Sequence, residues 1–281
     1  MPDRRSSSNG GGQRSSGQGG GQETSAAVWA AVLGLTPGEA WLRREEPKAP
    51  EMVAKYQSAV EQLARGVPFP HAVGLASFRS LDLICDARAL IPRPETEGLV
   101  DLVLRHAHGG VAADIGTGSG CIALALATEG RFERIIAVER SPAAAALARE
   151  NLALVQPPPR TKVEIREGSL LQPLAGERCR VIVSNPPYLT EAEYEALAPS
   201  VKQFEPREAL VSGPDGLVAT RALLTGAAAL LESDGVLALE IDERRSDAVR
   251  ALALQYGWAR IDVHDDLFGR PRYALAFPGE D

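Results

Sequence analysis

Asp114-Ile115-Gly116-Thr117-Gly118-Ser119-Gly120 decides how this chain folds. The apolar run Val111 to Ile115 has the length and composition of a buried strand, and the Ala/Leu-rich stretch from Cys121 has those of a helix. The glycines therefore fall where a first strand turns into a first helix. Glycine at such a turn lets the backbone approach a neighbouring group, because no Cβ stands in the way. Working outward, strand-like runs at Ile135 to Val138, Val163 to Ile165, Val181 to Ser184 and Val236 to Ile241 alternate with helical stretches. Two of these helices are predicted over Pro142 to Leu154 and Thr220 to Leu231. Strands joined by helical crossovers pair in parallel, so the pattern predicts a doubly wound α/β sheet. The end differs. Trp258 to Val263 and Arg272 to Phe277 read as strands joined by Asp265-Asp266-Leu267-Phe268-Gly269-Arg270-Pro271, a link too short for a helix, which implies an antiparallel pair. The expectation is a mostly parallel, seven-stranded, Rossmann-like sheet with an antiparallel C-terminal strand.

Ahead of this sheet, residues 1–25 are dominated by Ser, Gly and Gln and carry almost nothing apolar to offset the entropy of ordering, so a disordered tail is expected. The tail holds Gly11-Gly12-Gln13 and Gly20-Gly21-Gln22, tripeptides that arise easily in such a composition. Residues 26–73 read as a small helical domain: Val28, Val32 and Leu33 share one side, Pro37-Gly38 break the pattern, and Met52, Tyr56, Val60 and Leu63 follow at helical steps. Residues 74–92, with Phe78, Leu81, Leu83 and Ile84 among polar neighbours, suggest a β-hairpin linker. The α/β domain occupies residues 93–281.

A net charge of -7 argues against a surface that holds nucleic-acid phosphates non-specifically, since that requires neutralisation by Lys and Arg. Cys85, Cys121 and Cys179 are far apart and lack ligand spacing, which indicates neither a disulfide framework nor a zinc site and fits a reducing cytoplasm. No apolar run reaches the length of a membrane span. His106 and His108 stand at a helix end before Gly109-Gly110, where the dipole suits them, and no metal is expected there. Asp242, Glu243, Arg244 and Arg245 read as a solvated helix start, and Pro157-Pro158-Pro159 as a stiff loop.

About twenty residues after the glycine turn, Glu139 ends the second strand, where a carboxylate can accept hydrogen bonds from both ribose hydroxyls of an adenosine. Dinucleotide binding needs G-x-G-x-x-G, but here the third glycine arrives one residue early, at Gly120, and Cys121 takes its place. The spacing favours S-adenosylmethionine, with Asp114, Gly116, Thr117, Gly118, Ser119, Gly120 and Glu139 as candidate cofactor-binding residues.

Ser184-Asn185-Pro186-Pro187-Tyr188 follows the fourth strand, at the carboxyl edge where open α/β sheets bind ligands. An amide or exocyclic amine nitrogen is a poor nucleophile because its lone pair is delocalised. A site helps by accepting hydrogen bonds from its N–H groups as charge develops. Asn185 Oδ1 and the Pro186 carbonyl are the candidate acceptors, Pro187 stiffens the loop, and Tyr188 can stack on the planar group. These four residues are the candidate catalytic and substrate-binding set, and Asn185 is also a candidate cofactor-binding residue.

Leu90-Ile91-Pro92-Arg93-Pro94-Glu95-Thr96-Glu97, together with the glycine loop, Ser184 to Tyr188, Glu205-Pro206, Ala209-Leu210 and Gly213-Pro214-Asp215-Gly216-Leu217, resembles the release factor glutamine methyltransferase family from about residue 28 to the C-terminus. The resemblance implies a class I methyltransferase fold and N5-methylation of the glutamine in a Gly-Gly-Gln loop of peptide chain release factors. It implies that Ser169 and Leu170 join the S-adenosylmethionine site and that the helical domain helps hold the release factor; Arg93, Glu95 and Thr96 are candidate substrate-binding residues, and a monomer is expected. The alternative is an N6-adenine or N2-guanine nucleic-acid methyltransferase using the same Asn-Pro-Pro-Tyr site; the acidic balance and the absence of an obvious target-recognition domain count against it. The chain departs from the family pattern at Glu139 (usually aspartate), at Ser169 (often acidic), over Pro68 to Gly74, and at Asp242 (often glycine).

Overall fold

The computed structural model describes residues 19–279, with side chains from Ser25 onward. The chain divides into two units, Met1–Arg65 and Gly66–Asp281. In the first, helices span Gly19–Leu33, Pro37–Leu42 and Pro50–Ala64. The first of these begins inside the segment expected to lack structure, while residues 1–18 and Gly11-Gly12-Gln13 lie outside the described residues. An alanine-rich stretch propagates a helix back into poorer residues once its first turn exists. Pro37 opens the second helix instead of breaking one, and Thr36 and Glu39 form a capping box ahead of it. The unit is held by Val28, Ala30, Ala40 and Ala59, which are buried, and by Trp29 stacked on Tyr56 with ring centroids 4.2 Å apart. Val60, expected on the apolar face, is exposed, and Ala59 takes the inner position.

The division at Arg65 assigns the short helix Phe69–Val73, expected with the helical domain, to the larger unit. There β1 (Leu75–Phe78) and β2 (Leu81–Ile84) form the expected antiparallel hairpin. It is more than a linker: Phe78 and Leu83 are fully buried in the main core. Arg79, at its turn with φ +54°, latches the hairpin to two helices. Its guanidinium bonds Glu129 and Asp101, and its backbone N–H donates to Glu97 Oε1 at 2.8 Å.

The remaining strands are β3 (Val111–Ile115), β4 (Arg134–Glu139), β5 (Lys162–Glu167), β6 (Cys179–Ser184), β7 (Leu231–Glu240), β8 (Arg260–Asp265) and β9 (Pro271–Phe277). They make one seven-stranded sheet in the order β5-β4-β3-β6-β7-β9-β8. β3 to β7 pair in parallel, and β9 runs antiparallel between β7 and β8. Alternation along each strand feeds two cores. Ala112, Ile135 and Ala137 join Leu99, Val103 and Leu124 on one face; Ala113, Ile136 and Val138 join Leu223, Val249 and Ala253 on the other. Burial on both faces explains why these strands read as nearly unbroken apolar runs. The helix expected over Thr220 to Leu231 instead spans Val218–Gly226, and after a short turn Leu231 already belongs to β7. β8 starts at Arg260, two residues later than expected, because Trp258 turns inward and its indole N–H donates to the Leu224 carbonyl at 2.8 Å.

Candidate active site

The chain runs outward from β3 to β4 and β5, then returns to place β6 on the other side of β3. Such a reversal opens a crevice at the carboxyl ends of the two strands. The glycine loop leaves β3 there, and Asn185-Pro186-Pro187-Tyr188 leaves β6 beside it. The two ends are joined directly: the Ser184 hydroxyl donates to the Ile115 carbonyl across 2.7 Å.

In the loop, Gly116 has φ +73° and a Cβ built on it meets no atom within 4 Å, so this side of the backbone is open. Gly120 is different. A Cβ there would press on Leu124 and Ala148, so its glycine serves the close packing of two helices. Asp114 is fully buried beneath the turn, where its Oδ2 accepts from the Thr117 hydroxyl at 2.6 Å and from the Ala123 N–H at 3.1 Å. Burial pushes its carboxyl up to about 7 against the pull of those two bonds. Its Oδ1 and the Ser119 hydroxyl have no hydrogen-bond partner among the described residues. Thr117 and Ser119 are both buried, so these two candidates turn their side chains toward the protein.

Glu139, at the end of β4, straddles the loop: its carboxylate accepts from the Gly118 N–H and the Ser141 N–H, each at 2.9 Å. Its backbone carbonyl accepts from Gly168 N–H at 2.9 Å, which brings Ser169 and Leu170 alongside. Leu170 is held at φ +50°, a left-handed conformation unusual for a side-chain-bearing residue.

Asn185 Nδ2 donates to Thr96 Oγ1 at 3.1 Å, and the Thr96 hydroxyl donates to Glu240 Oε2 at 2.7 Å. Thr96, expected to touch substrate, is buried and stands behind Asn185. Arg93, also expected at the substrate, gives its guanidinium to the buried Glu205 carboxylate at 2.6 Å. The Glu95 backbone carbonyl accepts from the Tyr273 hydroxyl at 2.6 Å. Arg-Pro-Glu-Thr-Glu thus braces the site from below. Burial raises the Tyr188 phenol to about 12, so it stays protonated at neutral pH. Gly216, with φ +75°, packs so close to the Tyr188 carbonyl that a Cβ would collide with it, which accounts for the Gly213-Pro214-Asp215-Gly216 turn.

The four residues expected as a solvated helix start are not solvated as a group. Asp242 is buried and accepts from Arg244 and Arg245, and Arg245 reaches on to Glu193 at 2.6 Å and to the Asp215 carbonyl at 2.8 Å. This network pins the turn behind Tyr188 to the end of β7. Sequence reasoning also missed Asn151, fully buried, which bonds both the N–H and the carbonyl of Ile84 and the carbonyl of Ser119. One signal for the Glu240 and Asp242 roles was available: two carboxylates closing an apolar central strand need buried partners.

The sheet order, the antiparallel final strand and the two loops at the switch point define a class I methyltransferase. The Methyltransferase small domain family matches residues 95–204. The crystal structure of a methyltransferase from Pyrococcus furiosus shares the fold, with a TM-score of 0.53 and 19% identity, covering 82% of this chain and 100% of that one. A release factor glutamine methyltransferase from Geobacter sulfurreducens is 37% identical over 86% of this chain and 84% of its own length. One from Moorella thermoacetica is 40% identical over 90% of this chain and 89% of its own. The chain belongs to the release factor glutamine methyltransferase family. No helix among the described residues is long and apolar enough to cross a membrane.

Proposed function

We propose that this enzyme transfers a methyl group from S-adenosylmethionine to the side-chain nitrogen of a glutamine, in the Gly-Gly-Gln loop of a peptide chain release factor. The observation that carries this reading is the juxtaposition of Asn185 with the glycine loop at one switch point, joined through Ser184 and Ile115. Similarity to relatives named release factor glutamine methyltransferase supports the choice of substrate.

The residues present fit the cofactor. The open side of Gly116 can receive a ligand, and Asp114 Oδ1, which has no hydrogen-bond partner among the described residues, lies beneath the same turn. Glu139 is fixed to the turn by two backbone N–H groups and supplies a carboxylate for ribose hydroxyls. Ser169 and Leu170 complete this side. When bound, S-adenosylmethionine supplies an electrophilic methyl group.

The protein's task is then to orient a weak nucleophile. Asn185 Oδ1 and the Pro186 carbonyl accept the two N–H bonds of the glutamine amide and stabilise the positive charge that grows on nitrogen. Tyr188 packs on the amide plane, and Pro186 and Pro187 keep the loop from relaxing. Alignment of nitrogen and methyl carries much of the rate, so no strong base is required. The proton leaves after the nitrogen has become cationic and acidic. The N-terminal helical unit supplies further contact with the release factor.

Binding of S-adenosylmethionine, followed by calorimetry for the parent, Glu139→Ala and Asn185→Ala, tests the division of labour. Glu139→Ala is expected to weaken binding about tenfold or more, and Asn185→Ala to weaken it less than Glu139→Ala does while abolishing methyl transfer to a release factor. Parental binding by Glu139→Ala would remove Glu139 from the cofactor site.

A further inference from the structure

Three residues far apart in the chain form a line that runs from the half-buried Asn185 of the catalytic loop into the protein. Thr96 lies in the first turn of the helix Pro94–His106, Glu240 ends β7, and Asn185 follows β6. Thr96 and Glu240 are each only 2% exposed. Their hydrogen bonds have a direction set by proton count. When Glu240 is ionised its carboxylate can only accept, so the single proton of the Thr96 hydroxyl is committed to Glu240 Oε2 at 2.7 Å. Thr96 Oγ1 then has only lone pairs to offer, and what it meets at 3.1 Å is the Nδ2 of Asn185. The carboxamide of Asn185 is thereby turned with its NH2 inward and its Oδ1 away from the relay.

We propose that Glu240, acting through Thr96, is a positioning residue that fixes the Asn185 carboxamide with its oxygen toward the substrate nitrogen. The proposal rests on the reading of Asn185 Oδ1 as an acceptor for the substrate amide. Nothing in the shape of an asparagine side chain selects between its two amide orientations, since oxygen and NH2 are nearly isosteric. The flipped form would present donors to a substrate group that is itself a donor. A specific hydrogen-bond direction is therefore needed, and among the neighbours of Asn185 the Thr96–Glu240 pair supplies it.

The same count makes the device sensitive to protonation. A neutral Glu240 can donate to Thr96 Oγ1, freeing the Thr96 proton to point at Asn185 Oδ1 and to favour the flipped amide. The groups that face Glu240 are Arg272 and Tyr273 on β9, Glu95 and Arg93 at the start of the helix Pro94–His106, Tyr188 on the catalytic loop, and Cys121. Burial is the largest influence and pushes Glu240 up to about 7, against the Thr96 hydrogen bond and the two arginines, which favour the carboxylate, while Glu95 opposes it. Catalytic turnover should therefore fall as pH drops through neutrality, while cofactor binding at the other loop should not follow.

The experiment measures kcat, KM for the release factor and S-adenosylmethionine affinity from pH 6 to 8.5 for the parent, Thr96→Ser, Thr96→Val and Glu240→Gln. Thr96→Val is expected to lose roughly 10- to 100-fold in kcat with little change in KM or cofactor affinity, and Thr96→Ser to restore most of that loss. Glu240→Gln, which does not titrate, is expected to lack the acid limb of the parent's kcat profile. Parental kcat in Thr96→Val, or an acid limb in Glu240→Gln identical to the parent's, would overturn the proposal. If Thr96→Val fails to fold, the near-isosteric Glu240→Gln decides alone. Failure of the parent itself to methylate glutamine would instead refute the substrate reading on which the relay depends.

Discussion

The Ser184 hydroxyl and the Ile115 carbonyl, 2.7 Å apart, tie the end of β6 to the end of β3 at the point where the sheet reverses its order. Both loops assigned to chemistry spring from this one bond. Ser184 is buried, so removing its hydroxyl leaves a carbonyl acceptor facing protein instead of water. Ser184→Ala is expected to destabilise the fold by about 1–3 kcal/mol in urea denaturation. It should also raise the KM for both substrates, because each loop loses its reference to the other. Unchanged stability and kinetics would show that the strands alone fix the two loops.

Asn151 makes a comparable tie on the other side of the glycine loop. Its carboxamide closes both backbone groups of Ile84 and takes the Ser119 carbonyl at 2.9 Å. Asn151→Leu keeps the branched shape but leaves the buried Ser119 carbonyl and the half-buried backbone groups of Ile84 without these partners, with an expected cost of about 2–4 kcal/mol. Thermal unfolding with and without S-adenosylmethionine checks it. A variant as stable as the parent would mean that the hairpin reaches its place without Asn151.

Asp242 and Arg245 form the centre of the network behind Tyr188, with side chains 7% and 12% exposed. Arg245→Met strands a buried carboxylate that Arg244 compensates only in part. The expected loss is about 1–3 kcal/mol by denaturant titration. In the double variant Arg245→Met with Asp242→Gly much of that loss should return, since no buried charge is left alone; strictly additive losses would contradict the coupling.

Asp114 predicts a pH dependence of stability. Its folded-state pKa lies above its ordinary value of 3.8, at about 7. Its contribution to stability is therefore fully present below the unfolded pKa and is lost as pH rises through the folded value. Asp114→Asn should flatten this part of the profile, so that the fall in Tm between pH 5 and pH 8 is smaller than in the parent. An equal or larger fall would show that Asp114 is ionised in the folded protein well below neutral pH.

The parallel strands and both loops were legible because their signals are local: β-rich apolar runs, glycines at a strand end and a double proline. Long-range pairings were not. Asn151 and Ile84 are 67 residues apart, and Thr96 and Glu240 are 144 apart, so no pattern of spacing reveals that their side chains meet. Thr96 and Arg93 were assigned to the substrate because their run was distinctive. The structure gives the same distinctiveness a different origin, since each pairs with a buried carboxylate that a less specific residue would leave unsatisfied. The four residues around Arg244 read as solvent-exposed because charge is usually solvated. What overturned this is the cluster of Glu193, Asp215 and Asp242, brought together by the loops after β6 and β7.

Everything assigned to Asn185 depends on the chemical identity of the methyl acceptor. Purified enzyme is incubated with S-adenosylmethionine and a release factor, with DNA and RNA in parallel, and the methyl group is located by fragment mass spectrometry. One methyl is expected on the side-chain nitrogen of the glutamine in the Gly-Gly-Gln loop, and none when Asn185→Ala replaces the parent. Methylation confined to a nucleic-acid base, or transfer to the glutamine that survives Asn185→Ala undiminished, would contradict this assignment.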